Sequence, residues 1–363
     1  MELTDNYFKK LKEKKDMSKR NINFYYLLAR EYKSSNQLFS ANVISNIIRR
    51  MEDCLEYWQW DKYSINKILN LKIVSRCKNK FCANCRTVNI IKAISKFKPY
   101  FENMIKCGFS PYLMTLTSPN IELEQLSNEI NKMNKAFLKF IRWLDKPFKE
   151  NNKYYGGFKD RLFDVKGAIK VLEVTVQKNN LNMFHVHFHV ILFLLNDKEK
   201  DFVKYRPGGF QRRTGREMYY SDADTLIQML WKMAYDSKDI TKFKDTSERW
   251  QDNFICEIRK MDSEHGIYEV FKYCFKDMDI KTYEIFKNLY IGLKGRRLRQ
   301  GYGKLYNLKL DDDALDHEEL TVDDINNYLE FKDEEPVSIY NFFNDNMENY
   351  GDYKKISIFK RKI

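Results

Sequence analysis

The chain has 363 residues, of which 43% are hydrophobic, so it can fold around a core and does not have the composition of a disordered polymer. Its net charge is +13, but residues 311–336 hold twelve acidic residues against one lysine, so the rest of the chain carries +24. A basic body favours nucleic-acid binding, because cations displace counterions from phosphates. A lysine-rich composition inherited from an AT-rich genome would give the same charge.

Targeting signals and disulfides are not indicated. No apolar run reaches the ~18 residues of a membrane span, and the charged N-terminus lacks the apolar core of a signal peptide. The seven cysteines are odd in number and include a C-x-x-C pair, which argues against a secreted disulfide framework. We therefore expect a cytoplasmic protein that does not associate with a membrane.

The hydrophobic pattern predicts the elements in chain order. Apolar residues recur at helical spacing through residues 39–59, which favours a helical extension over residues 1–66. From residue 110 onward, alternating and helical patterns predict strands at 112–117, 168–177, 184–195 and near 253–260, and helices at 122–144, 222–236 and near 263–278. Ser221 or Asp222 can cap the helix at 222–236.

The resulting order β-α-β-β-α-β predicts an α+β fold, with an antiparallel sheet in ferredoxin-like (split βαβ) order and helices on one face. The expected organisation is a helical N-terminal extension (1–66), a central domain (67–305) that includes the Cys-rich segment 77–85, and an acidic C-terminal extension (306–363).

Three of the five histidines occur in the string H-V-H-F-H-V at 185–190. On a strand, His185, His187 and His189 share one face, and a tight hairpin with the preceding strand places Glu173 beside His187. One histidine on a strand is usually structural, but three on one face would repel one another on protonation. Neutral imidazoles and a carboxylate suit Mn²⁺ or Mg²⁺, and Zn²⁺ would also bind them.

A second candidate element is the string E-V-F-K-Y-C-F-K at 269–276. On a helix, one polar stripe opposes an apolar stripe and contains Glu269, Lys272, Tyr273 and Lys276. An ordinary surface stripe with a Glu–Lys ion pair would have the same pattern. Near a phosphate-binding metal, Tyr273 becomes a candidate nucleophile, because lysines and a metal lower the pKa of a phenol from its usual value of about 10.

The cysteines Cys77, Cys82 and Cys85 have the spacing C-x₄-C-x₂-C. Three thiolates need a fourth ligand to bind zinc, and Cys54 and Cys107 are the candidates. The pattern fits a small zinc knuckle that aids DNA recognition, and it equally fits three reduced thiols in a loop.

Six motifs occur in an order that resembles one family. They are C-K-N-K-F-C-A-N-C (77–85), L-M-T-L-T (113–117), E-V-T-V (173–176), H-F-H (187–189), E-x-x-K-Y-x-x-K (269–276) and G-R-R-L-R-Q-G-Y-G (295–303). Together they resemble the plasmid rolling-circle Rep proteins of Gram-positive bacteria, which belong to the HUH endonuclease superfamily. The resemblance covers roughly residues 70–305.

This resemblance implies metal-dependent, strand-specific nicking at a plasmid origin. Tyr273 would attack single-stranded or extruded origin DNA, form a 5′-phosphotyrosine and free a 3′-OH for host helicase and DNA polymerase. His187 and His189 would bind the metal, with Glu173 as third ligand and His185 as an alternative.

The motif at 269–276 contains a single tyrosine, Tyr273. Related enzymes with two tyrosines on one helix face alternate them, whereas this chain has Glu269 at the matching position, which points to water in the terminating step. The phosphate contacts would be Lys272, Lys276, Arg296 and Arg297.

Two other functions remain open. A rolling-circle transposase or relaxase of the same superfamily would share the chemistry, although relaxases usually place the tyrosine before the histidines. A non-enzymatic DNA-binding repressor would bind tightly without cleavage.

Overall fold

The computed structural model describes residues 4–54, 56–65, 68–145, 165–177, 180–195, 221–239, 254–261, 270–271, 280–308, 337–342 and 354–356. The chain forms two compact units, here called the first unit (residues 1–91 and 312–363) and the second unit (residues 92–311). This division differs from the expected boundaries after residues 66 and 305. None of the described helices is long and apolar enough to cross a membrane.

Six helices and ten strands lie in the described part of the chain. The helices are α1 (Thr4–Ser34), α2 (Leu38–Glu52), α3 (Ala83–Lys106), α4 (Leu126–Asp145), α5 (Asp222–Tyr235) and α6 (Tyr283–Leu293). The strands are β1 (Tyr57–Tyr63), β2 (Ile68–Val74), β3 (Ser110–Thr117), β4 (Ile121–Glu122), β5 (Val165–Gln177), β6 (Asn180–Leu194), β7 (Cys256–Lys260), β8 (Arg299–Gly303), β9 (Val337–Phe342) and β10 (Lys354–Ile356).

The first unit contains a sheet of four strands in the order β10-β2-β1-β9. β1 pairs antiparallel with both β2 and β9, and β10 pairs parallel with β2. The prediction of helix throughout residues 1–66 is therefore wrong at β1. The error has a physical cause, because β1 depends on a partner strand from the expected acidic extension, and local periodicity carries no signal of such distant pairing.

The second unit is built on a larger antiparallel sheet in the order β7-β3-β6-β5-β8, with β4 paired to β6. β3 and β5 are connected through α4 and have β6 between them, while β6 and β7 are connected through α5 and have β3 between them. The mixture of helices and an antiparallel sheet confirms the predicted α+β class.

Element boundaries in the second unit follow local chemistry. α5 begins after Ser221, whose hydroxyl accepts a hydrogen bond from the Asp224 backbone while the Asp224 carboxylate accepts one from the Ser221 backbone. The helix predicted from residue 122 begins later, at Leu126, because Ile121–Glu122 pairs with β6 and a 3₁₀ turn follows. The helix expected near 263–278 is described only at Val270 and Phe271, which are helical and buried.

Helices α4 and α5 cover one face of the large sheet. Phe188 of β6 points toward them, with its ring centroid 5.6 Å from Phe137 of α4 and 6.1 Å from Trp231 of α5. All three side chains are fully buried. This face is the apolar face that the strand alternation predicts.

Helix α3 covers part of the opposite face, on which the histidines lie. Phe193 of β6 has the opposite parity to Phe188, and its centroid lies 6.4 Å from Phe97 and 5.5 Å from Phe101 of α3. The expectation of helices on one face only is therefore wrong. At this end of β6 the residues are apolar on both faces, so each face requires cover.

Candidate functional site

The polar site lies on the histidine-bearing face of the large sheet. The register of β5 with β6 places Glu173 opposite His187, as the sequence predicts. On the other side of β6, strand β3 places Thr117 opposite His187 and Thr115 opposite His189. Three adjacent strands therefore contribute polar side chains to two neighbouring rows.

His189 is held by hydrogen bonds at both ring nitrogens. Its Nε2 lies 2.7 Å from Oε2 of Glu173, and its Nδ1 lies 3.3 Å from Oγ1 of Thr115. Both His189 and Glu173 are buried, with 9% and 3% exposure. With an ionised carboxylate and a neutral ring, Nε2 would donate to Glu173 and Nδ1 would accept from the Thr115 hydroxyl. The arrangement fixes the ring and its tautomer.

The other two histidines are more accessible. His187 Nε2 lies 3.2 Å from Oγ1 of Thr175, and the ring centroids of His185 and His187 are 4.0 Å apart. Burial lowers the pKa of His185 below its ordinary value, against the opposing effect of the Glu173 charge. His185 is therefore a neutral imidazole at neutral pH, the form that can bind a metal.

The donor chemistry of this face fits a divalent cation, since it offers imidazole nitrogens beside a carboxylate. The donors are arranged as the hydrogen-bonded pair Glu173–His189 with His187 beside it. Across the described ranges, the one group of three or more potential ligands whose ligand atoms all lie within 4.8 Å is a set of cysteines in the first unit. The metal set Glu173, His187 and His189 therefore stays a prediction.

The segment next to the candidate nucleophile packs on the histidine face. Phe271 is fully buried and stacks on Phe97 of α3 at 5.5 Å between centroids. The guanidinium of Arg299 lies 5.7 Å from the same ring. Arg299 pairs with Val171, which pairs with His189, so all three side chains share one face. Tyr273, Glu269, Lys272 and Lys276 lie outside the described residues.

The two arginines predicted to contact phosphates have different surroundings. Arg296 donates to Oδ1 of Asn131 at 2.5 Å and to the carbonyl and hydroxyl oxygens of Ser127 at 3.1 and 2.8 Å, which ties it to α4. Desolvation by burial lowers its pKa below the ordinary value. Arg297 is exposed. The sequence reasoning missed buried Arg299, and the signal was its place as the third arginine of the motif at 295–303.

The cysteines of the predicted knuckle come together in the first unit. Cys77, Cys82 and Cys85 are buried and lie beside Cys54, one of the two candidates for the fourth position. Cys107, the other candidate, is exposed.

Comparisons with known proteins find similarity to replication proteins. Residues 68–206 match the family model described as "Replication protein". "Protein rep" of Staphylococcus aureus is 25% identical over 256 residues, covering 69% of this chain and 92% of that protein. "Protein rep" of Bacillus amyloliquefaciens is 22% identical over 258 residues, covering 70% and 67%. The chain is therefore similar to the Rep replication proteins.

The resemblance to the Rep initiators of Gram-positive plasmids is thus confirmed. The stretch matched by the Rep family model contains the Cys-rich segment, Glu173 and the three histidines. No solved structure matches this chain.

Proposed function

We propose that this plasmid replication initiator nicks one strand of its origin DNA as an HUH-type endonuclease, with Tyr273 as the nucleophile. One contact carries the assignment: Phe271, two positions before Tyr273, packs against Arg299 on the face that bears Glu173 and His189. The strand order supports an HUH domain, since β6 lies between β3 and β5 as a split βαβ unit requires.

In the nicking step one bond to phosphorus forms and another breaks. The phenolic oxygen of Tyr273 attacks a phosphodiester in single-stranded or extruded origin DNA, and the bond from phosphorus to the 3′ oxygen breaks. The products are a 5′-phosphotyrosine and a 3′-OH, which takes up a proton. Host helicase and DNA polymerase would then extend from that 3′ end.

A divalent cation, Mg²⁺ or Mn²⁺, would be held by His187, His189 and Glu173, with His185 as an alternative ligand. When bound, such an ion supplies Lewis-acid polarisation of a phosphate oxygen. The contribution of the chain itself is positional, because Thr115 and Glu173 fix the ring of His189 from both sides.

DNA phosphates would be contacted by Lys272, Lys276 and Arg297. Arg296 was expected to belong to this group, but its hydrogen bonds to α4 favour a role in holding the segment that leads into β8. Arg297, which is exposed, is the better phosphate contact of the two.

The nicking proposal is tested by paired tyrosine variants. The protein is incubated with Mn²⁺ and labelled single strands from the plasmid origin, and the adduct that resists SDS is measured. Tyr273→Phe should abolish nicking and the adduct while binding persists, because only the phenolic oxygen is removed. Tyr268→Phe, five positions away and off the predicted stripe, is the matched control and should keep most activity. A dead Tyr268→Phe beside an active Tyr273→Phe would reassign the nucleophile.

Termination would use Glu269 as the base that activates water. Four positions before Tyr273 on the predicted helix, its carboxylate would lie near the phosphotyrosine. Glu269→Ala should then nick nearly normally but fail to release DNA in a plasmid assay with two origins. Release at the wild-type rate would assign the activation of water to another group.

A further inference from the structure

Four buried cysteines of the first unit have no role in the proposed nicking chemistry. Cys54, Cys77, Cys82 and Cys85 come from three separate places: the end of α2, the segment after β2, and the start of α3. Each is 4% exposed or less, and their sulfur atoms all lie within 4.8 Å of one another. We propose that these four residues form a structural zinc site with Cys54 as the fourth ligand.

The distances between the sulfur atoms match a single tetrahedral ion. A zinc–sulfur bond of about 2.3 Å places the sulfurs of a tetrahedral site roughly 3.8 Å apart. The Sγ of Cys54 lies 3.7 Å from that of Cys82 and 3.5 Å from that of Cys85, and the Cys77–Cys85 distance is 3.5 Å. A disulfide would require about 2.05 Å, so these are four separate thiol groups that surround one point.

The surroundings are those of a closed structural site. The hydroxyl of Ser18 in α1 lies 3.5 Å from the sulfur of Cys82 and accepts a hydrogen bond from the backbone N–H of Ala83 at 3.1 Å. Arg50 donates to the backbone carbonyl of Cys77 at 2.9 Å. A zinc ion with four thiolates carries two negative charges, and this guanidinium offsets part of them.

The ion would close the base of the hairpin formed by β1 and β2. Cys54 comes shortly before β1 and Cys77 shortly after β2, so one ion ties the two ends of the hairpin to the first turn of α3. Because the unfolded chain has no formed site, the binding free energy of the metal becomes folding free energy of the first unit. Metal removal should therefore loosen this unit in particular.

The test measures metal on the whole chain, purified without a metal-affinity tag. Elemental analysis should find about one zinc ion per chain, as a closed four-thiolate site binds. Cys54→Ser and Cys85→Ser should lose the zinc. Cys107→Ser removes an exposed thiol outside the cluster, and this matched control should keep it.

Cobalt keeps the test decisive if the serine variants fold poorly. Wild-type protein stripped of zinc and reloaded with Co²⁺ should show the intense absorption of a tetrahedral four-thiolate site. Hydrogen exchange should quicken in β1 and β2 after stripping. Wild-type protein without stoichiometric zinc, with iron in its place, or with a cobalt spectrum of fewer thiolates would overturn the site. Full zinc retention in Cys54→Ser would overturn the role of Cys54.

Discussion

Single residues on the histidine face act through their hydrogen bonds as much as through their own chemistry. His189 has Glu173 at one ring nitrogen and Thr115 at the other, so its proton is held on the side of the carboxylate. A cation that binds through that nitrogen must displace the proton, so metal binding should release a proton and weaken in acid.

Glu173→Gln should therefore raise the Mn²⁺ concentration for half-maximal cleavage by roughly tenfold or more, because the site loses a negative charge. Thr115→Val removes only the hydroxyl at Nδ1 and should cost less. Cleavage of an origin oligonucleotide is titrated with Mn²⁺ for both variants. An unchanged titration curve for Glu173→Gln would exclude this carboxylate as a ligand.

Lys170 is a buried lysine on the opposite face of β5. Its ammonium donates to Asn134 at 2.5 Å and lies 4.5 Å from the ring centroid of Phe188 and 5.0 Å from that of Phe137. Burial lowers the pKa of Lys170 to about 7, although the aromatic rings favour the charged form. Desolvation outweighs the rings here because the side chain is almost wholly enclosed.

This lysine predicts a particular dependence of stability on pH. Between about pH 7 and its ordinary pKa of 10.5, the unfolded chain binds the proton and the folded chain does not, so its contribution to stability rises with pH across that window. Lys170→Met should remove this rise, which amounts to about 2–3 kcal/mol over the two pH units from 7 to 9. Urea unfolding at pH 7 and pH 9 measures it. If the free energy of unfolding changes equally with pH in wild type and variant, the buried amine keeps its proton in the folded chain.

Much of the histidine site could be predicted at this scale. Alternation in the string at 185–190 and a tight hairpin were enough to place Glu173 opposite His187. The contacts of Arg296 with α4 could not be predicted, because they join segments far apart in sequence. For the same reason the sequence left Cys54 and Cys107 as equal candidates, and the structure places Cys54 beside the later cysteines.

At the scale of elements, the segment around Phe271 depends on aromatic packing against α3. Phe97 stacks directly on Phe271, while Phe101 lies one ring further away, against Phe97 and Phe193. Phe271 and Phe101 are thus both buried on the histidine face, but only Phe271 belongs to the segment before Tyr273.

Phe271→Ala and Phe101→Ala should each cost about 3–5 kcal/mol of stability. Only Phe271→Ala should also slow nicking, by tenfold or more, since a small displacement of a nucleophile is costly. The rates are compared at a temperature where both variants are folded, with circular dichroism as the check. Equal rates in the two variants would separate Phe271 from the active site.

The strands and helices of the second unit were largely predictable, since each carries its own period. β1, β9 and β10 were not. Their pairing is parallel or long-range, and the residues that complete the sheet lie in a segment whose main feature in the sequence is negative charge.

At the scale of the whole molecule, charge governs how the protein meets DNA. The chain outside residues 311–336 carries +24, so affinity for single strands should fall with salt by a log–log slope of about −0.7 per neutralised phosphate. Arg297→Ala should make this slope shallower. Arg296→Ala removes the hydrogen bonds to α4, so it should lower the melting temperature and leave the slope nearly unchanged. Fluorescence anisotropy at several salt concentrations measures both variants, and a flat dependence in wild type would contradict phosphate binding by the basic body.

The pairing of β1 with β9 delays completion of the smaller sheet during synthesis. A ribosome releases β1 early, yet Tyr57 cannot pair with Phe342 until nearly 300 further residues have been made. Strands β3, β5, β6, β7 and β8 of the large sheet emerge in the meantime and can pair while translation continues. Hairpin β1–β2 must therefore wait with both edges uncovered, since β9 pairs with β1 and β10 pairs with β2. A bound ion at its base would hold the hairpin together during that interval.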